Sequence, residues 1–530
     1  MNINEEKRLE KLGAFEVSAK MLKLAKNNDK GNVFLNAGRG NPNWINTKAR
    51  LAFNRIVEFG IQESEQTFSD IDLAGYTVEN NIKKRFENFL NSKDNEIDDF
   101  LLKIINYSKT EITSNEDAFI KELVDGALGN NYPVPSRVLK YTERILNKYL
   151  ESALYNGNKF AEHTQLFPTE GGTAAIVYIF NSLKQNKLIK KGDKIAINTP
   201  IFTPYLQIPK LNEYEMTEIT LQSKEENNWE LLDEDIEKLI DPDLKALFLV
   251  NPSNPSSMSL SKQALEEIQK IIEKNPNLII ITDDVYGTFV KDFQSVYSVV
   301  PTNTILVYSY SKLYGATGWR LGTIALHENN IVDKLITELP EYEKKELDKR
   351  YGIDVFNPRE MKFIDRMVAD SRSIGLYHTS GLSTPQQIME ALFSLSHLIS
   401  KRTPDPYVEA SNTIVDNRYQ SLINTLNLPK NTSPNYAKYY SIIDLYKLSK
   451  ERYGEDFKKY IISNFEQIDF LVQLAKKNGV VVMDGVGFEG NPGTIRISEA
   501  NLTDEMYPII ANQISSLLDD YYQEYLKTIK

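Results

Sequence analysis

The sequence predicts an α/β fold with a mainly parallel sheet between helices, joined to a smaller α+β domain with an N-terminal segment and helical insertions. Three observations predict it. Short, almost continuously apolar runs recur at 194–198, 246–250, 278–282 and 304–308, as expected of parallel strands buried on both faces. Helical-period stretches separate them, such as 173–188 and 261–274. The chain has 530 residues, beyond the size at which one core keeps growing.

Taken in order, residues 5–26 read as an amphipathic helix with Leu9, Leu12, Phe15, Ala19, Leu22 and Ala25 at helical spacing. A short strand at 33–36 runs into Gly38-Arg39-Gly40-Asn41-Pro42-Asn43. From about 80 to 125 the pattern is helical and highly charged (Ile82, Phe86, Phe89, Leu90, then Ile97, Phe100, Leu101, Ile104), which suits an inserted packing module. The strand–helix alternation occupies the middle of the chain. From about 395, long helices accompany a strand pair near 439–445 and 494–498. The expected division is an N-terminal helix and arm at 1–50 joining the small domain, a helical insertion at 51–125, a large domain at 126–394 and a small domain at 395–530. No internal repeat or low-complexity linker interrupts it.

Composition excludes several classes. A net charge of -11, without lysine and arginine runs interleaved with aromatics, argues against nucleic-acid binding. The absence of cysteine removes disulfides and thiolate chemistry, and the scattered His163, His327, His378 and His397 lack metal-ligand spacing, so no metal is expected. The polar N-terminus and the lack of a membrane-length apolar run lead us to expect a cytoplasmic protein without membrane contact.

The chemistry concentrates in Ser309-Tyr310-Ser311-Lys312-Leu313-Tyr314-Gly315-Ala316-Thr317-Gly318-Trp319-Arg320. A lysine after an apolar strand, flanked by hydroxyls and followed by an arginine among glycines, suits a Schiff base to pyridoxal phosphate, with Ser309 and Arg320 placed for its phosphate. Four motifs at inferred strand ends extend this reading, where open α/β sheets hold ligands. Gly171-Gly172-Thr173 opens a helix whose bare N–H groups suit a phosphate, with the Thr173 hydroxyl added. Phe202, in Pro200-Ile201-Phe202-Thr203-Pro204-Tyr205, can lie flat on a pyridine ring. Asn254, in Asn251-Pro252-Ser253-Asn254-Pro255, can donate to a phenolic oxygen. Asp283, before Asp284-Val285-Tyr286, can pair with a protonated pyridine nitrogen. Each motif alone is better explained as a turn, a cap or core packing; together they are specific. Gly485-Val486-Gly487-Phe488-Glu489-Gly490 matches a dinucleotide fingerprint after the apolar run 480–483, but a turn and strand follow where a helix is required, so it is rejected. Arg496 on that strand can clamp a carboxylate bidentately; the other reading is a surface salt bridge, which spacing alone leaves open.

In this order the motifs resemble the fold-type I, aspartate-aminotransferase-like superfamily of pyridoxal-phosphate enzymes. The resemblance implies Lys312 as the Schiff-base lysine and Asp283 as the pyridine-nitrogen partner. It implies Asn254 and Tyr286 on the phenolic oxygen, Phe202 on the ring, and Gly172, Thr173, Ser309 and Arg320 on the phosphate. Arg496 would bind the substrate α-carboxylate, and Tyr132 in Asn131-Tyr132-Pro133 would reach the partner subunit's phosphate in a homodimer. Ser257 departs from the pattern, standing where the Asn-Pro turn usually ends in glycine, which bears on that loop's backbone. Leu35-Asn-Ala-Gly-Arg-Gly-Asn-Pro-Asn-Trp44, the 168–175 run and Thr199-Pro-Ile-Phe-Thr-Pro-Tyr205 resemble the bacterial aspartate 4-decarboxylase branch, as do the extra residues before 125 and between 326 and 375. That resemblance implies β-decarboxylation of L-aspartate to L-alanine, with aminotransfer to 2-oxo acids such as 2-oxoglutarate or pyruvate, in a larger homo-oligomer of dimers. Arg39 would lie near the β-carboxylate, with Gly38, Asn254 and Thr379, near His378, as further substrate-binding candidates. An interdomain salt bridge is an equally good reading of Arg39. Two alternatives stay open: an aminotransferase without decarboxylase activity, and a non-catalytic regulator, for which the first 30 residues offer one helix and no basic recognition pattern.

Overall fold

A computed structural model describes residues 8–9, 13–28, 34–68, 73–91, 95–219, 233–376, 378, 380–400 and 405–529. Helix Ala14–Lys26 leads into strand β1 (Leu35–Asn36). The large sheet follows: β2 (Thr164–Thr169), β3 (Lys194–Asn198), β4 (Glu215–Ile219), β5 (Leu244–Val250), β6 (Ile279–Asp283), β7 (Thr304–Ser309) and β8 (Gly322–His327). Their spatial order is β2-β8-β7-β6-β5-β3-β4. Strand β8 runs antiparallel to β7 and β2, and the remaining pairs are parallel. The predicted mainly parallel sheet is therefore present, with β2, β4 and β8 added to the strands read from sequence. Alternate residues serve opposite faces: Ala246, Phe248 and Val250 enter one core, and Leu247 and Leu249 another. That two-sided burial is why these strands carry no polar alternation.

The small unit contributes β9 (Tyr440–Asp444), β10 (Val480–Val481), β11 (Met483–Asp484) and β12 (Thr494–Ser498). Strands β11, β12 and β9 form an antiparallel sheet, while β10 pairs in parallel with β1, so the arm joins this unit. The run read as one strand at 480–483 is thus two short strands with different partners. A 3₁₀ turn at Val486–Phe488 and then β12 follow, not a helix, as the rejection of the dinucleotide site requires.

One other reading needs correction. Of the N-terminal residues read as the apolar face, Leu9 and Ala25 are buried, but in the helix the buried strip is Val17, Met21 and Ala25, packed toward helix Gln467–Asn478, whereas Ala19 is exposed and Leu22 half-buried. Apolar residues cover more than one strip of this helix, so periodicity alone could not choose the buried one. Leu12 and the side chain of Phe15 lie outside the described residues. Ser257 takes the left-handed conformation (φ 58°) that a glycine adopts freely, with its Oγ accepting from the Tyr440 N–H at 2.8 Å. That bond offsets part of the roughly 1 kcal/mol cost of a side chain there.

The charged section forms helices Ile82–Leu90, Glu96–Glu111 and Glu116–Leu128. Asn95 and Asn115 cap the second and third, and Gly129 (φ 67°) ends the third. They pack with helix Thr47–Glu65 into the core that underlies the large sheet. Among the described residues no helix is long and apolar enough to cross a membrane, and no acidic or histidine cluster could hold a metal.

Candidate active site

The carboxyl ends of β3, β5, β6 and β7 lie on one edge of the sheet, because these strands run parallel in close register: Val250 is beside Asp283, and Asp283 beside Val307. Each strand-end motif therefore converges on a single cavity of about 530 Å³, roofed by arm residues 38–41 and by Tyr440, Met483 and Arg496 of the small unit.

On the floor, the Lys312 Nζ donates to the Gly40 carbonyl at 3.1 Å. Asp283 is 5% exposed, and its carboxylate accepts from the Tyr205 hydroxyl at 2.9 Å and the Val285 N–H at 3.3 Å. Burial pushes Asp283 up to about 6, opposed by the Tyr205 bond, the backbone bond and the Lys312 charge. A buried carboxyl in this state is ready for a cationic partner.

At one end, Gly171 (φ 90°) turns the chain into helix Gly172–Gln185, and a Cβ on Gly171 would meet Arg320 Nη2 at 2.4 Å. The Arg320 guanidinium donates to the Thr317 and Glu170 carbonyls at 2.8 and 3.2 Å. The Ser309 hydroxyl lies 2.9 Å from Ser311 Oγ and 3.0 Å from the Leu321 carbonyl. Together with Thr173 and the N–H groups of the helix start, these side chains make an end suited to an anion.

At the other end, Arg496 is buried between the rings of Tyr440 and Phe488, whose centroids lie 4.2 and 4.8 Å away. Its Nη1 donates to Asn254 Oδ1 at 2.8 Å and its Nη2 to the Gly38 carbonyl at 2.5 Å, while Nε finds no partner among the described residues. Among the described residues no carboxylate pairs with it. Arg39 also lines the cavity, exposed, and makes no ion pair among the described residues.

The cavity thus gathers Gly38, Arg39, Gly172, Thr173, Phe202, Asn254, Asp283, Tyr286, Ser309, Lys312, Arg320 and Arg496. It does not gather Tyr132, which is 67% exposed, or His378, whose Nδ1 is 3.1 Å from Ser136 Oγ. Thr379 lies outside the described residues. Sequence reasoning missed Tyr205, Tyr440, Ser311 and the Gly40 carbonyl. Tyr205 carried a signal, one 3₁₀ turn beyond Phe202; Tyr440 carried none until β9 was placed beside β12.

A model of aminotransferase class I and II matches residues 114–514. The chain belongs to the class I and II aminotransferases. Members of this family depend on pyridoxal phosphate and act on amino and 2-oxo acids. A relative from Pseudomonas sp., the bifunctional aspartate aminotransferase and L-aspartate beta-decarboxylase, is 42% identical over 98% of both chains. Aromatic-amino-acid aminotransferase 2 of Thermococcus litoralis is 29% identical over 41% of this chain and 54% of its own. Among solved structures, aspartate aminotransferase from Thermus thermophilus with maleate aligns at a TM-score of 0.60 and 16% identity, covering 98% of this chain and 100% of that one. The aromatic aminotransferase of Pyrococcus horikoshii aligns at 0.58 and 17%, covering 95% and 99%. These structural likenesses establish the fold-type I aminotransferase fold. The cavity of this aminotransferase fits the family cofactor: a lysine amine, a buried carboxyl for a ring nitrogen, an aromatic wall and an anion-binding end stand in one space.

Proposed function

We propose that this chain β-decarboxylates L-aspartate to L-alanine and carbon dioxide, and also transfers the amino group of aspartate to 2-oxo acids such as 2-oxoglutarate or pyruvate. The observation that carries the proposal is the end-to-end likeness to a relative named for both activities, over 98% of each chain. The cavity chemistry supports it.

In this reading Lys312 anchors pyridoxal phosphate, Asp283 faces its ring nitrogen, and Phe202 its ring. Asn254 and Tyr286 face its phenolic oxygen, and Gly172, Thr173, Ser309 and Arg320 its phosphate. Bound, the cofactor supplies an electron sink for the electrons released at Cα and then at Cβ. Asp283 keeps the ring-nitrogen proton in place, and its burial excludes the water that would screen that pair. The Lys312 amine, once displaced by substrate, carries the proton to and from Cα, with the Gly40 carbonyl within hydrogen-bond reach of it. Arg496 exchanges its two neutral acceptors, Asn254 Oδ1 and the Gly38 carbonyl, for the two oxygens of the α-carboxylate. Arg39 orients the β-carboxylate without a full clamp. A tight clamp would stabilise the charged carboxylate more than the transition state that loses its charge, and would oppose decarboxylation.

A cytoplasmic homodimer, or a larger assembly of such dimers, is part of the proposal. The exposure of Tyr132 outside its own cavity supports a role in the partner subunit's site.

Incubation with L-aspartate alone tests the reaction. Equimolar carbon dioxide and alanine are expected. Oxaloacetate formed only when a 2-oxo acid is present would leave an aminotransferase and remove the decarboxylase. The variant Arg39→Gln should lower the ratio of carbon dioxide to oxaloacetate severalfold while the cofactor absorbance persists; an unchanged ratio removes Arg39 from the β-carboxylate site.

A further inference from the structure

One hydroxyl in the cavity has no role in the reaction as described above. Tyr440 opens β9, and its hydroxyl lies 2.9 Å from that of Tyr286. The residue is held on three sides. Its N–H donates to Ser257 Oγ at 2.8 Å, the Arg496 guanidinium stacks 4.2 Å from its ring centroid, and the hydroxyl abuts Gly40, where a Cβ would come within 2.0 Å. The hydroxyl therefore has little freedom to leave Tyr286, and both rings line the cavity.

We propose that Tyr440 is a positioning residue whose hydroxyl donates to Tyr286 and thereby sets how strongly Tyr286 donates to the cofactor's phenolic oxygen. The inference rests on the cofactor assignment above. Each tyrosine has one hydroxyl hydrogen. If Tyr286 donated to Tyr440, its hydrogen would be used and the phenolic oxygen would lose this donor. In the order Tyr440 to Tyr286 to the phenolic oxygen both hydrogens find acceptors, and each bond strengthens the next. Burial holds Tyr286 well above the ordinary tyrosine range, so it remains a neutral donor.

The consequence is spectroscopic. With the cofactor bound on Lys312, the proton on the Lys312 nitrogen would be shared with the phenolic oxygen, and a stronger donor to that oxygen would stabilise the anion left when the proton departs. Weakening the donor should make the proton leave at higher pH. Other titratable groups facing the site are Asp283 on β6, Tyr205 after β3, Arg320 beyond β7, Arg39 on the arm, Arg496 on β12 and Tyr439 on the approach to β9. Tyr440→Phe changes none of them and keeps the ring under Arg496.

The test is a pH titration of the visible absorbance of the cofactor on Lys312, in the wild type, Tyr440→Phe, Tyr286→Phe and the double variant. Tyr440→Phe should move the midpoint up by roughly half a pH unit or more. The same change in the Tyr286→Phe background should add nothing measurable. An unchanged or lowered midpoint in Tyr440→Phe, or an equal shift in both backgrounds, overturns the proposal. Failure of the cofactor assignment looks different: the wild type itself would then show no lysine-linked absorbance.

Discussion

The floor and the roof of the cavity are built on different principles. The floor is the carboxyl edge of one sheet: Asn254, Asp283 and Lys312 each follow their own apolar strand, and parallel register brings them together. The roof combines arm residues 38–41 with Tyr440, Met483 and Arg496, brought together by the pairing of β1 with β10 and of β12 with β9. Its bonds span great sequence distances, Arg496 reaching both Gly38 and Asn254. In the proposed reading the floor holds the cofactor, while the roof meets the substrate's carboxylates.

The sharpest break in this comparison is at the floor. Lys312→Ala should lower turnover with aspartate at least about 10³-fold, by removing both anchor and base, and abolish the lysine-linked visible absorbance. A persistent chromophore in that variant would remove Lys312 from its role. At the roof, Arg496→Lys should leave that absorbance intact and raise the KM for aspartate roughly 10-fold or more, since an ammonium cannot reproduce the two-pronged carboxylate bond. An unchanged KM would place the α-carboxylate elsewhere.

The smallest effect concerns what supports the roof. Glu499, one residue beyond β12, is buried, and burial pushes it up to about 8 against the pull of Ser441, Arg496 and Arg418. A carboxyl raised in the folded state favours its neutral form there. Its contribution to stability is complete below the ordinary glutamate range and is lost as pH rises through about 8. Glu499→Gln should therefore raise the Tm by a few degrees at pH 8.5 and change it little at pH 5. Equal Tm shifts at both values would show that Glu499 is not neutral in the fold.

The floor was legible because a strand end and its turn are local features. The apolar runs marked the strands of the large sheet that carry the chemistry, and the residues after them marked the site. The roof was legible only in part. Arg496 and Arg39 could be named, but the sequence left a salt bridge open for each, and no ion pair to either is found among the described residues. The N-terminal helix shows the same limit. Its apolar residues announced a helix, but which strip is buried depended on helix Gln467–Asn478.

By itself, then, the sequence determined the fold class, the lysine run and the strand-end motifs, because backbone periodicity and local turns encode them within a few residues. Only the tertiary structure decided that Tyr205 bonds to Asp283, that Ser257 holds a left-handed turn against Tyr440, and that Tyr440 pairs with Tyr286. Those contacts join segments about 80 to 180 residues apart. The packing of one unit against another sets them, and no local pattern records it.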